Sequence, residues 1–212
     1  MVGVNAMAMD VYTRLMAGAG SGNSFDRHLF ACAIAVAMAD RSGRPLTSGL
    51  GLSAFNLAAL VGRYFPLAPG LLSGLSGEEE DEPLAAEEPD LRALLVEHRS
   101  RGLVEEEWLA HVIARRSLGA NHLWQDLGLT GRADLSGLMR RHFSRLAEAN
   151  SGDMKWKKFF YRELCQREGI VICKSPNCEV CADVAVCFGA EDGVSLLAHR
   201  PVSQIRHCSV SP

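Results

Sequence analysis

The stretch Asp134-Leu-Ser-Gly-Leu-Met-Arg-Arg-His-Phe-Ser-Arg-Leu-Ala-Glu-Ala149 carries Leu135, Leu138, Met139, His142, Phe143 and Leu146 at spacings of three and four. That period lines one face of an α-helix, and Asn150-Ser151-Gly152 then breaks it. The same period recurs on both sides. Downstream, Asp153 is placed to cap a last helix running through Glu168, with Trp156, Phe159, Phe160 and Leu164 facing inward and Gly169 as its end. Upstream, Asn121, His122, Leu123, Trp124 and Leu127 form a short helical turn that Gly128 closes. Before it, an acidic first turn at Glu105, Glu106 and Glu107 leads into Trp108, Leu109, Val112 and Ile113, with Arg115 and Arg116 near the C-terminal end, where cations oppose the helix dipole.

The pattern extends toward the N-terminus. From Asp90, Leu91, Leu94 and Leu95 make a helical piece before Gly102. Ser53 to Tyr64 forms another, with apolar bulk from Phe55, Leu57, Leu60 and Val61 and a stop at Pro66. Ser24 caps a helix to about Arg41, with Phe25, Leu29, Ala33, Val36 and Ala37 on or near one face. No strand pattern of comparable strength and no internal repeat is present. The expected fold is therefore all-α, a compact bundle of about six helices with a C-terminal cysteine-rich metal loop, in one domain over residues 1–212.

One stretch departs from the pattern. Residues 66–90 mix Pro66, Pro69, Gly70, Gly74, Gly77, Pro83 and Pro89 with Glu78, Glu79, Glu80, Asp81, Glu82, Glu87, Glu88 and Asp90. Without regular ligand spacing these carboxylates read as a flexible, solvated acidic linker rather than a hard-cation site.

With 212 residues, 48% of them hydrophobic, the chain has enough apolar material for a real core and does not need metal merely to fold. A formal charge of −3 gives no global attraction to nucleic acid or anionic lipid. Met1 to Gly22 lacks the basic flank and continuous apolar run of a secretory signal, and the longest apolar run, Leu29 to Ala39, is too short to span a bilayer. The expectation is a cytoplasmic protein with neither nucleic-acid nor membrane partners. In that reducing compartment seven cysteines, four of them within residues 173–187, argue for metal ligation rather than disulfides.

Those four lie in Cys173-Lys-Ser-Pro-Asn-Cys178-Glu-Val-Cys181-Ala-Asp-Val-Ala-Val-Cys187-Phe-Gly, directly after the last helix and Gly169-Ile170-Val171-Ile172, so the metal loop spans about 169–190. The two-residue gap between Cys178 and Cys181 lets both sulfurs turn inward around one tight turn, and Ser175-Pro176-Asn177 supplies the bend that brings Cys173 round. Four thiolates suit either zinc or an iron–sulfur cluster. Structural zinc usually takes two short cysteine knuckles separated by a longer insert. Here one such pair is flanked by gaps of four and five residues, closer to the C-x4-C-x2-C spacing of iron–sulfur proteins. No Cys-His pair marks a catalytic thiol. On the residues alone, a zinc-stabilised interaction module and a simple iron–sulfur electron carrier both stay open.

The chain also resembles the NifQ family, the molybdenum-handling accessory proteins of bacterial nitrogen fixation. The resemblance lies in Asp-Arg-His-Leu-Phe at 26–30, Asn-His-Leu-Trp-Gln-Asp-Leu-Gly-Leu at 121–129, Leu-Met-Arg-Arg-His-Phe at 138–143, Met-Lys-Trp-Lys-Lys-Phe-Phe-Tyr-Arg at 154–162 and, above all, the cysteine motif running into Phe188-Gly189. It implies Cys173, Cys178, Cys181 and Cys187 as ligands of an iron–sulfur cluster of the 4Fe–4S type. It further implies that the cluster takes up molybdenum, from molybdate, as a Mo-Fe-S cluster, and donates it for biosynthesis of the iron–molybdenum cofactor of nitrogenase. The implied role is that of a carrier, not an enzyme, with the cofactor scaffold complex and the nitrogenase iron protein as partners.

Further ligands have weaker signals. His28, His122 and His142 sit in segments that resemble the family, and imidazole suits molybdenum or iron, yet each also lies among apolar helical residues where histidine is commonly a hydrogen-bonded core residue. Cys165, one turn before the helix end, is close to the motif in sequence and reads equally as a structural thiol. Lys155, Lys157, Lys158, Arg162 and Arg167 give the last helix a cationic side leading toward the cysteines, suited to an anion or an acidic partner surface, or simply to solvent.

Overall fold

Asn23, one residue before the serine that the sequence favours, opens the first core helix: its side-chain oxygen accepts from the amides of Phe25 at 2.9 Å and Asp26 at 3.3 Å. The helix ends at Ala39 with Asp40 as its C-cap, short of the expected Arg41, which lies outside the described residues. The computed structural model describes residues 2–40, 44–73, 82–169, 181 and 184–197.

Among these the fold is all-α, with no strand. In chain order the helices are α1 (Val2–Ala17), α2 (Ser24–Ala39), α3 (Leu46–Leu50), α4 (Ala54–Tyr64), α5 (Glu88–Glu97), α6 (Val104–Ser117), α7 (Leu123–Asp126), α8 (Arg132–His142), α9 (Ser144–Ala149), α10 (Trp156–Arg167) and α11 (Val184–Phe188). A single 3-10 turn, Pro69–Leu72, follows α4. The six expected helices correspond to α2, α4, α5, α6, α8 and α10. The amino-terminal α1, which the sequence pattern did not mark, packs along α2, and α5 packs along α6 and touches α10.

The core is built around α2, whose Leu29, Phe30, Ile34 and neighbouring alanines are buried. Phe30 stacks against Tyr64 of α4 with ring centroids 5.0 Å apart and against Trp108 of α6 at 6.2 Å, which ties three helices to one side chain. Phe55, expected to add apolar bulk to the interior of α4, is instead 82% exposed, while Leu57, Leu60 and Val61 are buried. Gly128 closes α7 with a φ of 72°, and a Cβ there would sit 2.7 Å from Val36 Cγ2 and 2.9 Å from the Cys32 carbonyl oxygen. Only glycine lets this corner lie so close to α2.

The expected helix over 134–149 is two helices. Phe143, at φ −139° and ψ 51°, separates α8 from α9, and Ser100 satisfies the break: its amide donates to the His142 carbonyl at 2.9 Å and its Oγ accepts from the Ser144 amide at 2.8 Å. The apolar residues stay buried across the kink, so their period alone does not reveal it. Asp153 does not cap α10 either. It holds a left-handed φ of 54° and pairs with Arg132, while Lys155 stands at the N-cap position without a side-chain cap bond.

Glu88, read from sequence as part of the solvated linker, lies in the first turn of α5 and is fully buried. Its carboxylate meets Arg115 Nε at 2.7 Å and Arg92 Nη2 at 3.0 Å. Residues 74–81 of that stretch lie outside the described residues.

A second buried charge group joins α2 to α8. Asp26 Oδ1 accepts from His142 Nε2 and Arg141 Nε, each at 2.9 Å. Burial by itself would raise the Asp26 pKa, but the hydrogen bond and charge of His142, followed by those of Arg141, hold the carboxyl below its ordinary 3.8. A folded-state value below the unfolded one gives stability that is present above the ordinary 3.8 and is lost as pH falls through the lower folded-state value. Thermal melts from pH 7 to pH 2 are expected to show a steeper acid-side fall in Tm for the native chain than for Asp26→Asn. Parallel profiles would remove Asp26 from this role.

Candidate metal centre

Of the four motif cysteines the structure describes two. Cys181 and Cys187 are free thiols, both half-buried, and Cys173 and Cys178 lie outside the described residues. The Val184 amide donates to the Cys181 carbonyl at 3.2 Å, which sets Cys181 against the start of α11, the helix that carries Cys187. Cys187 and Phe188 lie against the main core, Phe188 beside Gly152. The donor set fits a thiophilic metal: neither described sulfur is in a disulfide, and each is within reach of the surface. Among the described residues no three of His, Cys, Asp and Glu converge on a metal position.

The described residues from Ala185 to Leu197 are tied to the bundle at several points. On one side the Lys155 amide donates to the Cys187 carbonyl at 2.8 Å and Lys155 Nζ to the Ala185 carbonyl at 3.3 Å. Lys155 is itself placed by the 150–154 turn, in which the Asn150 side chain bonds both the amide and the carbonyl of Met154 at 2.9 Å. On the other side Glu191 binds Arg132 Nη1 at 2.7 Å and lies 3.4 Å from His122 Nδ1. Arg132 also donates through Nη2 to Asp153 Oδ1 at 2.8 Å and to the Met154 carbonyl at 2.9 Å, so one guanidinium joins the turn before α10 to the strand of chain after the motif. Burial opposes the charge on Arg132, but its hydrogen bonds to Asp153 and Glu191 outweigh burial and raise its pKa. Gln125 Nε2 donates to the Val194 carbonyl at 3.0 Å, and Leu197 is buried, which completes the attachment.

The three histidines part company. His142 is fully buried, with Nε2 on Asp26 and Nδ1 3.8 Å from Glu106 Oε1. His28 Nδ1 lies 3.0 Å from the Tyr12 hydroxyl, its ring is edge-on to Tyr12, and burial lowers its pKa against the pull of Asp134. His122 alone of the three is linked to the segment that follows Cys187, through Glu191. Cys165 is half-buried on α10, and Cys32 is buried on α2 with its thiol pushed up to about 12, first by burial and then by Asp134. A thiol held that far above neutrality is neither a ready nucleophile nor a ready ligand.

The cationic side of α10 is partly committed. Lys157 Nζ binds Asp126 Oδ2 at 2.6 Å and the Gly119 carbonyl at 2.7 Å, and Arg167 pairs with Glu97 at 2.8 Å; Lys158, Arg162 and Arg167 are all solvent-exposed. Sequence reasoning did not single out Glu191, Arg132 or Gln125. The only sequence signal for them is proximity, because Gln125 lies in the 121–129 segment and Glu191 two residues beyond Phe188-Gly189. No helix among the described residues is long and apolar enough to cross a membrane.

Comparison with known proteins bears on the same region. The family model described as NifQ matches residues 29–189, a span that runs from α2 to the end of the cysteine motif. A protein NifQ homolog of Sinorhizobium fredii is 39% identical over 173 residues, covering 81% of this chain and 75% of that one. Protein NifQ of Azotobacter vinelandii is 41% identical over 152 residues, covering 67% and 78%, and that of Rhodobacter capsulatus 41% over 150 residues, covering 69% and 79%. No solved structure matches the chain. A match that takes in the helical core, the segments that anchor Glu191 and the whole cysteine motif leaves one assignment: the chain belongs to the NifQ family.

Proposed function

We propose that this protein is a molybdenum carrier. Cys173, Cys178, Cys181 and Cys187 bind an iron–sulfur cluster of the 4Fe–4S type that takes up molybdenum from molybdate as a Mo-Fe-S cluster. The chain then donates the metal for biosynthesis of the iron–molybdenum cofactor of nitrogenase, in the cytoplasm and without catalytic turnover. Its partners in this reading are the nitrogenase cofactor scaffold complex and the nitrogenase iron protein.

The observation that carries the proposal is the four-cysteine motif at the end of a NifQ-family chain. The placement of its described half supports the reading. Molybdate is a hard oxyanion, and sulfide and thiolate ligation would turn its metal into a soft-ligated form that can be handed on. Transfer needs a site that a partner can reach and that is held in place. Cys181 and Cys187 are only half-buried, and Cys187 lies on a stretch, Ala185 to Glu191, that Lys155 and Arg132 hold to the bundle.

Donation is tested by adding the protein, purified without oxygen from molybdate-fed cells, to a cofactor-assembly mixture that contains no other molybdenum. Cofactor synthesis in proportion to the molybdenum supplied on the protein is the expected result. Synthesis that proceeds with free molybdate but not with the loaded protein would contradict the carrier role.

A further inference from the structure

Arg132, the first residue of α8, lies far from the cysteine motif in sequence, but its guanidinium bonds two stretches of chain that meet at Cys187. Its Nη2 is shared among the Asp153 carbonyl at 2.9 Å, Asp153 Oδ1 at 2.8 Å and the Met154 carbonyl at 2.9 Å. The next residue, Lys155, gives its amide to the Cys187 carbonyl at 2.8 Å. Nη1 donates to Oε2 of Glu191, beyond Cys187 on the same stretch, at 2.7 Å. These links close a circuit that runs from Arg132 through Met154 and Lys155 to Cys187, along the chain to Glu191, and back to Arg132. Such a circuit fixes the backbone of Cys187 from both sides, and Arg132 is the group common to its two arms.

Two further features show how much rests on this guanidinium. Asp153 holds a left-handed φ of 54°, a conformation uncommon for a residue with a Cβ even though aspartate adopts it more readily than most. A residue stays there where its surroundings over-determine it, and Arg132 grips both its carbonyl and its carboxylate. The Glu191 side chain, in turn, is only 4% exposed. Without Arg132 its carboxylate would keep His122, whose Nδ1 is 3.4 Å away, and a buried charge that has lost its main partner is relieved by moving into water. The hydrophobic core draws no residue from positions 189–195, so this stretch rather than the bundle would give way.

We propose that Arg132 is a positioning residue for the metal centre: by joining Lys155 to Glu191 it keeps Cys187 in place, and so sets how slowly the motif gives up its metal. It acts through the backbone on either side of Cys187 and not as a ligand. The inference rests on the carrier reading and deepens it, because a carrier must keep its metal until a partner takes it, and groups that orient a ligand govern that retention.

The test is the rate at which excess EDTA, without oxygen, extracts metal from the full chain and from Arg132→Met, Glu191→Gln and Glu88→Ala, read by elemental analysis of the desalted protein, with the Tm of each. Methionine keeps an unbranched apolar stem and removes every donor, and glutamine keeps the shape of Glu191 without its charge. Extraction is expected to be about tenfold faster or more in Arg132→Met, and accelerated to a smaller degree in Glu191→Gln, where the bonds to Asp153 and Met154 persist. Glu88→Ala breaks an ion pair with Arg115 that has no part in the circuit, and is expected to lower Tm while keeping the native rate. Native rates in Arg132→Met and Glu191→Gln overturn the proposal. Rates that rise across all three variants in the order of lost Tm overturn it as well, since a merely structural role would give that order. If Arg132→Met does not fold, Glu191→Gln alone decides. The identity of the metal judges the carrier reading separately: iron with molybdenum supports it and zinc contradicts it, while the comparison of rates applies to either. A native chain that holds no metal overturns both.

Discussion

Replacing Cys181 by serine is expected to strip the protein of iron and molybdenum together, each to about a tenth of the native content or less, while helical circular dichroism stays largely unchanged. The hydroxyl is a hard, poorly acidic donor in place of a soft thiolate, and removal of an actual ligand exceeds the 10–100-fold losses that follow from disturbing groups behind the ligands. The fold should tolerate it because Cys181 precedes α11, is half-buried and forms no part of the hydrophobic core. Cys178→Ser is expected to behave alike. Anaerobic purification followed by metal analysis and circular dichroism checks both variants. Retained iron would remove Cys181 from the ligand set, and global unfolding would contradict a bundle that folds ahead of its metal.

The largest effect on stability is expected at Glu88. Its carboxylate, fully buried, lies between Arg115, whose side chain is 3% exposed, and Arg92, 19% exposed. Arg115 also donates to the Glu82 carbonyl at 2.8 Å and to the Ser48 carbonyl, so the pair fastens α3 and the chain before α5 to the end of α6. Glu88→Ala takes away the opposing charge and leaves a cation deep in the protein, a loss of about 3–5 kcal/mol in comparable sites. At roughly 2–4 °C per kcal/mol for a chain of this size, the expected fall in Tm is about 6–20 °C. Removing both partners with Glu88→Leu and Arg115→Met should cost less than Glu88→Ala alone, because the more deeply buried of the two cations is then removed together with its counter-charge. A single variant within about 1 kcal/mol of the native protein by denaturant titration would show that this pair is not what holds the region.

Glu88 also shows where sequence reading ends. Its neighbours Glu82, Pro83, Glu87 and Pro89 have the composition of a solvated linker, and its partner Arg115 is 27 residues away, so nothing local distinguishes a buried glutamate from an exposed one. The helical class and most helix positions were legible because α2, α4, α6, α8 and α10 carry apolar residues at a helical period and some stop at recognisable breakers, Pro66 after α4 and Gly169 after α10. The α8–α9 break was not, because it depends on Ser100 from a distant turn and leaves the apolar period undisturbed. The amino-terminal α1 was missed since its alanines and methionines, mixed with Asp10, Thr13 and Arg14, form no clear stripe.

At the candidate centre the sequence supplied the candidate ligands and the structure the setting of two of them, Cys181 and Cys187. Sulfur donors in a dense cluster are recognisable from residue type and spacing alone. The anchors are not: Arg132, Glu191 and Gln125 are ordinary polar residues until folding brings them together. His142 looked as suitable a ligand as His122, and only the structure places Asp26 at 2.9 Å from its Nε2. Arg116 read as a favourable charge at a helix end, and a cavity that it borders became visible only when α1, α2 and Leu196 were in place.

The central claim is that the cysteine motif holds a molybdenum-bearing iron–sulfur cluster. Its most direct test is analysis for iron, sulfide, molybdenum and zinc, with electron paramagnetic resonance, on the full chain purified without oxygen from cells given molybdate. The account predicts iron with sulfide, bound molybdenum and a cluster signal. One zinc per chain, with no iron or sulfide under conditions that load other iron–sulfur proteins, would contradict it and make the motif a structural zinc site.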